Sequence, residues 1–495
     1  GSYTIVGGLK AVVYTDIIQS ILMLIAGIGL AVLVFSQLGW NEMLDLDAAA
    51  GDAAKMKIYL PTYHKDLPWT GVLTGLMCMH CFYWGTNQFI VQRALGAVSD
   101  KEARVGIISA GFLKLTIPFF SIATGVCAYY LLMNEATGEA ARAMVSDIAP
   151  DTVFPKLVTR FISPIGFGLV GLIAAGVIGA ILSSIDSMMN SAATIVSVDI
   201  YKRYFHEDAS DRELIITGRV TIVVLMITAI LMALFVMDPN SNENFFLQIA
   251  NYQNYLTPGL LVAFVLGIFW QRGTAPAAFY TILAGIALSW VVVQVYDSDM
   301  PRPLYDIALD RASVSDFHAG NFPKEYLDQN LHEMNQHEFD AFILKDIRPN
   351  ISALQEMFGP TLNFFHRVVF VLGLSAIVFV VISLMTPSDP EKSQLTWTGL
   401  GGHKPTRLKV LAKTLCLSLL IFALLGWLTD QALLTPTLAA CFAAFWTLGV
   451  YGCEILEKIK TDDSGMSRVQ YILRSDLTYA GLLAATAMFM MYFFF

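Results

Sequence analysis

The run Ala180-Ile181-Leu182-Ser183-Ser184-Ile185-Asp186-Ser187-Met188-Met189-Asn190-Ser191 sets hydroxyls and a carboxylate inside an otherwise apolar stretch. Such groups are costly to bury in hydrocarbon unless they face a partner, a cavity or an ion. Ser183, Ser184, Asp186 and Ser187 fall within about one helical turn and offer oxygen ligands. Oxygen is the donor that a hard cation takes. A cation site within a membrane is therefore one reading of this run. Hydrogen bonding between helices by small polar residues is the other, and this segment alone does not separate them.

Further polar groups interrupt apolar stretches elsewhere. Asp16 follows Gly7-Gly8-Leu9-Lys10-Ala11-Val12-Val13-Tyr14-Thr15. A carboxylate there is either a solvated residue favoured by a helix start or part of an ion route. His80-Cys81-Phe82-Tyr83-Trp84-Gly85-Thr86-Asn87-Gln88 concentrates aromatic and amide groups. Amides bond to hydroxyls and ring faces pack on C–H surfaces, so this set suits a neutral polyol; an aromatic belt at the interface is the simpler reading. Lys114 lies too far from Arg104 to snorkel easily and is expected to face a polar cavity. Gln248-Ile249-Ala250-Asn251-Tyr252-Gln253-Asn254-Tyr255-Leu256-Thr257-Pro258-Gly259 ends in Pro-Gly, which suggests a broken helix exposing backbone groups to a substrate.

These groups need membrane helices to position them, and composition supplies that class. The chain has 495 residues, 56% hydrophobic and 14% charged, against roughly 25% charged in soluble domains. Apolar stretches long enough to span a bilayer recur throughout, about eleven of them. Their approximate limits are 12–36, 69–92, 105–133, 161–189, 214–237, 245–270, 275–296, 361–385, 408–427, 433–456 and 477–495. Lys and Arg gather in alternate connections, around Arg93–Arg104, Lys202–Arg212, Arg272, Lys392–Lys409 and Lys458–Arg474, which are expected to be cytoplasmic. The acidic connection 297–360 is expected to be an external cap. The net charge of −9 comes with no basic patch that would suggest nucleic acid.

Three motifs are set aside. Cys78 and Cys81 form a C-x-x-C within an apolar span and lack a second pair, so a metal or redox role is not favoured. Gly166-x-Gly168-x-x-Gly171 has no preceding strand, and close helix packing is the expected reason for these glycines. His332-Glu333…His337 is one residue too long for two histidines on one helix face, and a solvated loop helix accounts for it. An intramembrane enzyme would need a paired nucleophile and base or metal ligands. Adjacent His80 and Cys81 point to different sides of a helix, so no enzyme activity is expected.

Several ordered segments resemble the solute:sodium symporter family, and within it the sodium/glucose cotransporter branch. Tyr3-Thr4-Ile5-Val6-Gly7-Gly8-Leu9-Lys10-Ala11-Val12-Val13-Tyr14-Thr15-Asp16 is similar to the family's Y-T-x-x-G-G-L-x-A-V-x-Y-T-D segment. Tyr83-Trp84 through Gln92-Arg93 is similar to its Y-W-x-x-x-Q-x-x-x-Q-R, and Gly111-Phe112-Leu113-Lys114 to its motif around a buried lysine. Ser183-Ser184 through Asn190-Ser191 to Asp199-Ile200-Tyr201-Lys202-Arg203 resembles its S-S-x-x-S-x-x-N-S…D-I-Y-K-R helix. Phe269-Trp270-Gln271-Arg272 resembles its F-W-K-R. The resemblance covers roughly residues 1–400.

The resemblance implies an all-α membrane protein with the leucine-transporter-like inverted-repeat fold and sodium-driven import by alternating access. The solute it implies is a sugar or polyol; other members move carboxylates, sialic acid or amino acids, and some relatives are sensors. It places Ala180 (through its carbonyl), Ser183 and Ser184 in a sodium site and Asp16 in a second cation site or exit route. Tyr83 becomes an inner gate stacked on the sugar, supported by Trp84, with Lys114 on the sugar hydroxyls. Residues 1–37 would be the last helix of the first repeat, 38–68 an external loop, 69–296 the second repeat with its following helix, and 361–495 additional helices. The preceding helices of the first repeat are expected to be missing, including the broken helix that completes the sodium site. Localisation is expected in the plasma or inner membrane, with sodium as coupling ion, no cofactor, and the oligomeric state left open.

Three positions depart from the family pattern. Ala250 stands where sugar members carry an amide, so Gln248 or Gln253 is expected to substitute. His80 stands where relatives have Asn or Thr. Asp186 replaces an uncharged residue, often Thr. If Asp16 and Asp186 approach each other, they could hold an additional cation, or one could carry a proton.

Overall fold

A computed structural model describes residues 2–51, 54–136, 150–235, 245–298, 301–312, 336–400, 405–460 and 467–494. Regular structure there is helical, apart from a single bridge between Leu60 and Pro68. In chain order the helices that matter here begin with α1 (Ser2–Phe35), α2 (Trp40–Ala49), α3 (69–85) and α4 (Gln88–Leu95). Next come α5 (Asp100–Phe120), α6 (Ile122–Glu135), α7 (Pro150–Leu157), α8 (Leu169–Thr194) and α9 (Asp211–Phe235). The remainder are α10 (Phe245–Phe269), α11 (Ala275–Tyr296), α12 (Phe364–Met385), α13 (Pro405–Asp430), α14 (Pro436–Lys460) and α15 (Asp476–Phe493).

Among the described residues, 10 helices are long and apolar enough to cross a membrane. The chain is a multi-pass membrane protein. Large apolar side chains stay exposed along these helices. On α1, Val12, Leu30 and Val34 are buried, while Tyr14, Ile18, Ile21, Ile25, Ile28 and Val32 form an exposed stripe at helical spacing. A helix apolar all round is stable only where its outer face meets lipid or protein.

The contacts divide the chain into two compact units. The first comprises Gly1–Lys57, Asn87–Phe245 and Ser418–Phe495. Its centre is the packing of α1 against α8, which is close because α8 presents glycines there. A Cβ at Gly176 would lie 3.2 Å from the Leu22 carbonyl oxygen, and one at Gly179 would lie 3.0 Å from Gln19 Cγ. The partner numbers fall as the α8 numbers rise, so the two helices run antiparallel. The second unit comprises Ile58–Thr86 and Phe246–Leu417, with α11 packed along α12.

Three expectations are corrected. The span expected over 69–92 is not one helix. It stops at Gly85, Thr86 and Asn87 leave helical geometry (φ −124°, ψ −18° and φ −71°, ψ 113°), and α4 starts at Gln88. Glycine and asparagine are weak helix formers, and Thr86 turns its hydroxyl back onto the Phe82 carbonyl at 2.8 Å. With the interruption, this stretch is not among the 10 helices long and apolar enough to cross a membrane that the described residues contain. The second correction is α10, which is continuous through Pro258 rather than broken. The Thr257 hydroxyl bonds to the Gln253 carbonyl at 3.1 Å, and tight packing holds the next turn: a Cβ on Gly259 would come 2.8 Å from the Thr281 oxygen. In an apolar setting such local partners let a helix pass through proline.

The third correction concerns Gly166, Gly168 and Gly171. Among the described residues none has a neighbour within 4 Å of a Cβ position, so no close helix packing is seen at them there. Gly166, Phe167 and Gly168 have φ of 75°, 53° and 74°, forming a left-handed turn that leads into α8. The histidine motif is only partly visible: His332 and Glu333 lie outside the described residues, and His337 sits on a short helix, Gln336–Phe342.

Candidate functional site

Ala180, Ser183, Ser184 and Asp186 all lie on α8 in the first unit. Ala180 and Ser184 are one turn apart and bonded to each other, the Ser184 hydroxyl donating to the Ala180 carbonyl at 3.3 Å. Together with Met23, Val177, Ile181 and Ile185 they line a depression of about 460 Å³. Ser183 is half-buried beside it, its carbonyl accepting the Ser187 hydroxyl at 2.8 Å. One strip of α8 thus presents the Ala180 and Ser183 carbonyls and the Ser183 and Ser184 hydroxyls, an oxygen-only set suited to a hard monovalent or divalent cation.

Asp186 is fully buried on the adjoining strip that faces α1. Asp16 of α1 lies on the same side, its carboxylate 2.6 Å from Arg93 of α4. The Arg93 guanidinium also donates to the Ser187 hydroxyl, so it ties α4 to both α1 and α8. A cation of the protein's own therefore already stands at Asp16. Among the described residues no group of three or more His, Cys, Asp or Glu side chains is arranged to hold a metal. Acceptors nevertheless remain. Asp16 Oδ1 and Gln19 Oε1, one turn apart on α1, are buried without a hydrogen-bond partner among the described residues. Leaving them so is costly, and an ion or water would satisfy them.

The substrate candidates divide between the units. Lys114 is on α5 in the first unit and exposed. His80, Tyr83 and Trp84 are on α3 in the second unit and exposed. The Tyr83 and Trp84 rings meet edge to face, centroids 5.6 Å apart, an aromatic pair of the kind that grips C–H surfaces. Gln253 is half-buried on α10 in the second unit. Gln248 opens the same helix, but its side chain lies outside the described part. Ala250, at the amide position, is buried.

Sequence reasoning missed a second polar centre, in the second unit. Arg367 of α12 is 3% exposed and reaches α10, donating to Asn251 Oδ1 at 2.6 Å and to the Asn251 carbonyl at 3.0 Å. Its guanidinium lies 4.1 Å from the Tyr255 ring centroid. Beside it, His366 Nε2 is 2.8 Å from the Thr70 hydroxyl of α3. Asn254 is wholly buried and its amide finds no partner among the described residues. A charged residue in the apolar run 361–385 was the available signal. Through Arg367, α12 fixes the polar first half of the helix that carries Gln253.

Each unit thus carries polar groups within apolar helices, on α1 and α8 in the first and on α3 and α10 in the second. The sodium:solute symporter family model matches residues 1–285. The chain belongs to the sodium:solute symporter family. Among this family's members, the sodium/glucose cotransporter of Vibrio parahaemolyticus is 36% identical over 296 residues, 57% of this chain and 53% of that protein. Sodium/myo-inositol cotransporter 2 of Sus scrofa is 34% identical over 331 residues, 63% of this chain and 48% of its own. Human sodium/glucose cotransporter 4 is 29% identical over 420 residues, 80% and 54% of the two chains. The chain spans about half the length of the curated relatives it matches.

Proposed function

We propose that this symporter-family chain belongs to a plasma- or inner-membrane transporter that couples inward sodium flow to import of a sugar or polyol by alternating access. The family match carries the reading, and relatives named for glucose and myo-inositol support the solute class. Sodium is the coupling ion. Ala180, Ser183 and Ser184 supply oxygens from α8, and the place of Ala180 and Ser184 in the lining of the depression beside Met23 supports that role. Asp16 with Gln19, and the buried Asp186, form a second polar zone through which a cation leaves or a proton passes. Tyr83 and Trp84 stack on the solute's C–H face, while His80, Lys114, Gln248 and Gln253 bond to its hydroxyls. The fold is the leucine-transporter-like inverted repeat, with 69–296 as the second repeat and its following helix, and 361–495 as additional helices.

A carboxylate, sialic acid or amino acid is the second reading, favoured by Ala250 at the position where sugar members carry an amide. Proteoliposomes containing the intact gene product, with and without a sodium gradient, separate the two. The panel is labelled glucose, galactose, myo-inositol, sialic acid, lactate and proline, tested beside Ser183→Ala. Sodium-dependent uptake of a hexose or inositol, abolished in Ser183→Ala, is the expected result. Uptake of a charged solute instead moves the substrate, and sodium-independent behaviour throughout overturns the coupling.

A further inference from the structure

A second cavity, of about 380 Å³, lies in the first unit, away from the oxygen strip of α8. One wall is the apolar face of α6: Ile122, Gly125, Val126, Ala128 and Leu132. Its volume falls within the range of about 300–1,000 Å³ found for ligand pockets. Ile122 is 60% exposed, so the wall opens outward along a membrane-crossing helix. The rim is different in kind. Lys55 comes from the connection after α2 and Lys156 from α7, both outside the membrane-crossing helices, and both are exposed. The groove therefore joins hydrocarbon depth to the water interface, apolar below and cationic above.

The positive charge at the rim is available. Lys55 Nζ stands 5.2 Å from the Tyr129 ring centroid, which holds it over the groove. Asp47, close by, is engaged elsewhere: its carboxylate is 6% exposed and accepts the Lys55 backbone N–H at 2.6 Å, the Met56 N–H at 3.2 Å and the Tyr130 hydroxyl at 2.7 Å. Glu135, at the end of α6, is bound by Arg160 at 2.5 Å. Neither lysine ammonium forms an ion pair among the described residues.

We propose that this groove binds an anionic phospholipid, its headgroup phosphate between Lys55 and Lys156 and an acyl chain along Gly125, Val126 and Leu132. An ammonium pair recognises phosphate, Tyr129 suits the interface, and the α6 wall removes a chain from water. Gly125 leaves the space for it, since nothing lies within 4 Å of a Cβ there.

The test is native mass spectrometry of the full chain in detergent, with phosphatidylglycerol and phosphatidylcholine supplied at equal concentration. Unaltered protein should retain phosphatidylglycerol preferentially. Lys55→Gln with Lys156→Gln should weaken that retention about tenfold, in line with the attraction of two basic residues for an anionic headgroup. Gly125→Leu, which fills the groove and keeps both lysines, should weaken it as well. The lysines are exposed, so the double variant tests the proposal even where Gly125→Leu fails to fold. Equal binding of the two lipids, or undiminished phosphatidylglycerol retention in the double variant, overturns it. Displacement by inorganic phosphate assigns the rim to a free anion and overturns the lipid. A dimer that the double variant dissociates makes the groove a contact between copies and likewise overturns the lipid.

Discussion

Arg93 and Asp16 approach to 2.6 Å, and the same guanidinium donates to Ser187, so one side chain of α4 clamps α1 to α8 beside the sodium-site candidates. Asp16 is 14% exposed and Arg93 39%. The pair sits between the surface limit, where ion pairs contribute little, and the buried limit, where losing one partner is severe. A double-mutant cycle with Asp16→Asn and Arg93→Gln, read by thermal melting in detergent, should give a coupling of roughly 1 kcal/mol. Each single variant should also alter uptake more than stability, because both release the α1–α8 clamp. Additive single effects would remove the clamp from the account.

His64 provides a pH dependence outside the membrane-crossing helices. Its Nδ1 accepts the backbone N–H groups of Asp66 and Leu67, each at 3.2 Å, which requires an unprotonated nitrogen. Burial lowers its pKa from the usual 6.5; Asp66 opposes this, and Arg302 and Lys65 add to it. The folded chain thus binds this proton less readily than the unfolded one. The contribution to stability is complete above about pH 6.5 and is lost as pH falls through the lowered folded value. Hydrogen exchange at the Asp66 and Leu67 amides, corrected for intrinsic rates, should lose protection between pH 7.5 and pH 5. In His64→Gln the change across that interval should vanish.

Two glycines fix how α10 crosses α11. A Cβ on Gly285 would lie 2.7 Å from Gly259 Cα, and one on Gly259 would lie 3.0 Å from Ile282 Cα. The obstacles are backbone atoms, which cannot swing aside. Gly259→Ala or Gly285→Ala should each destabilise by about 1–3 kcal/mol as overpacking. Gly267→Ala, on the same helix with nothing within 4 Å, should be neutral or stabilising by up to about 1 kcal/mol. Melting of the three variants under one detergent condition checks the contrast.

Much of this was legible in the sequence for a simple reason: a helix crossing hydrocarbon must be apolar over its length, so the spans and the polar intruders Ser183, Ser184, Asp186 and Asp16 stand out. What depends on the neighbour was not legible. The sequence near Pro258 reads as a break, but whether proline interrupts a helix is decided by packing, and Gly259 against Thr281 keeps α10 whole. Thr86-Asn87 reads as ordinary polar residues within a span, yet there the helix stops. Arg93 near Asp16 and Arg367 on Asn251 join residues 77 and 116 apart in sequence. No periodicity encodes such distances, although a lone arginine in the run 361–385 invited the question of what it meets.

Asp186 tests the coupling chemistry most directly. It is fully buried, on a helix whose neighbouring strip carries Ala180, Ser183 and Ser184. Asparagine has nearly the same volume, so Asp186→Asn removes charge and proton capacity while retaining most of the packing. A carboxylate that serves the cation or carries a proton contributes through its charge, and that contribution disappears in the amide. The variant should raise the sodium concentration giving half-maximal uptake about tenfold or flatten the pH profile of uptake, while melting within about 2 kcal/mol of the unaltered protein. Ser184→Ala, which takes one hydroxyl from the same helix, should shift the sodium dependence without touching the pH profile. Uptake in Asp186→Asn with unchanged sodium and pH dependence would leave Asp186 a packing residue and confine the ion chemistry to Ala180, Ser183, Ser184 and Asp16.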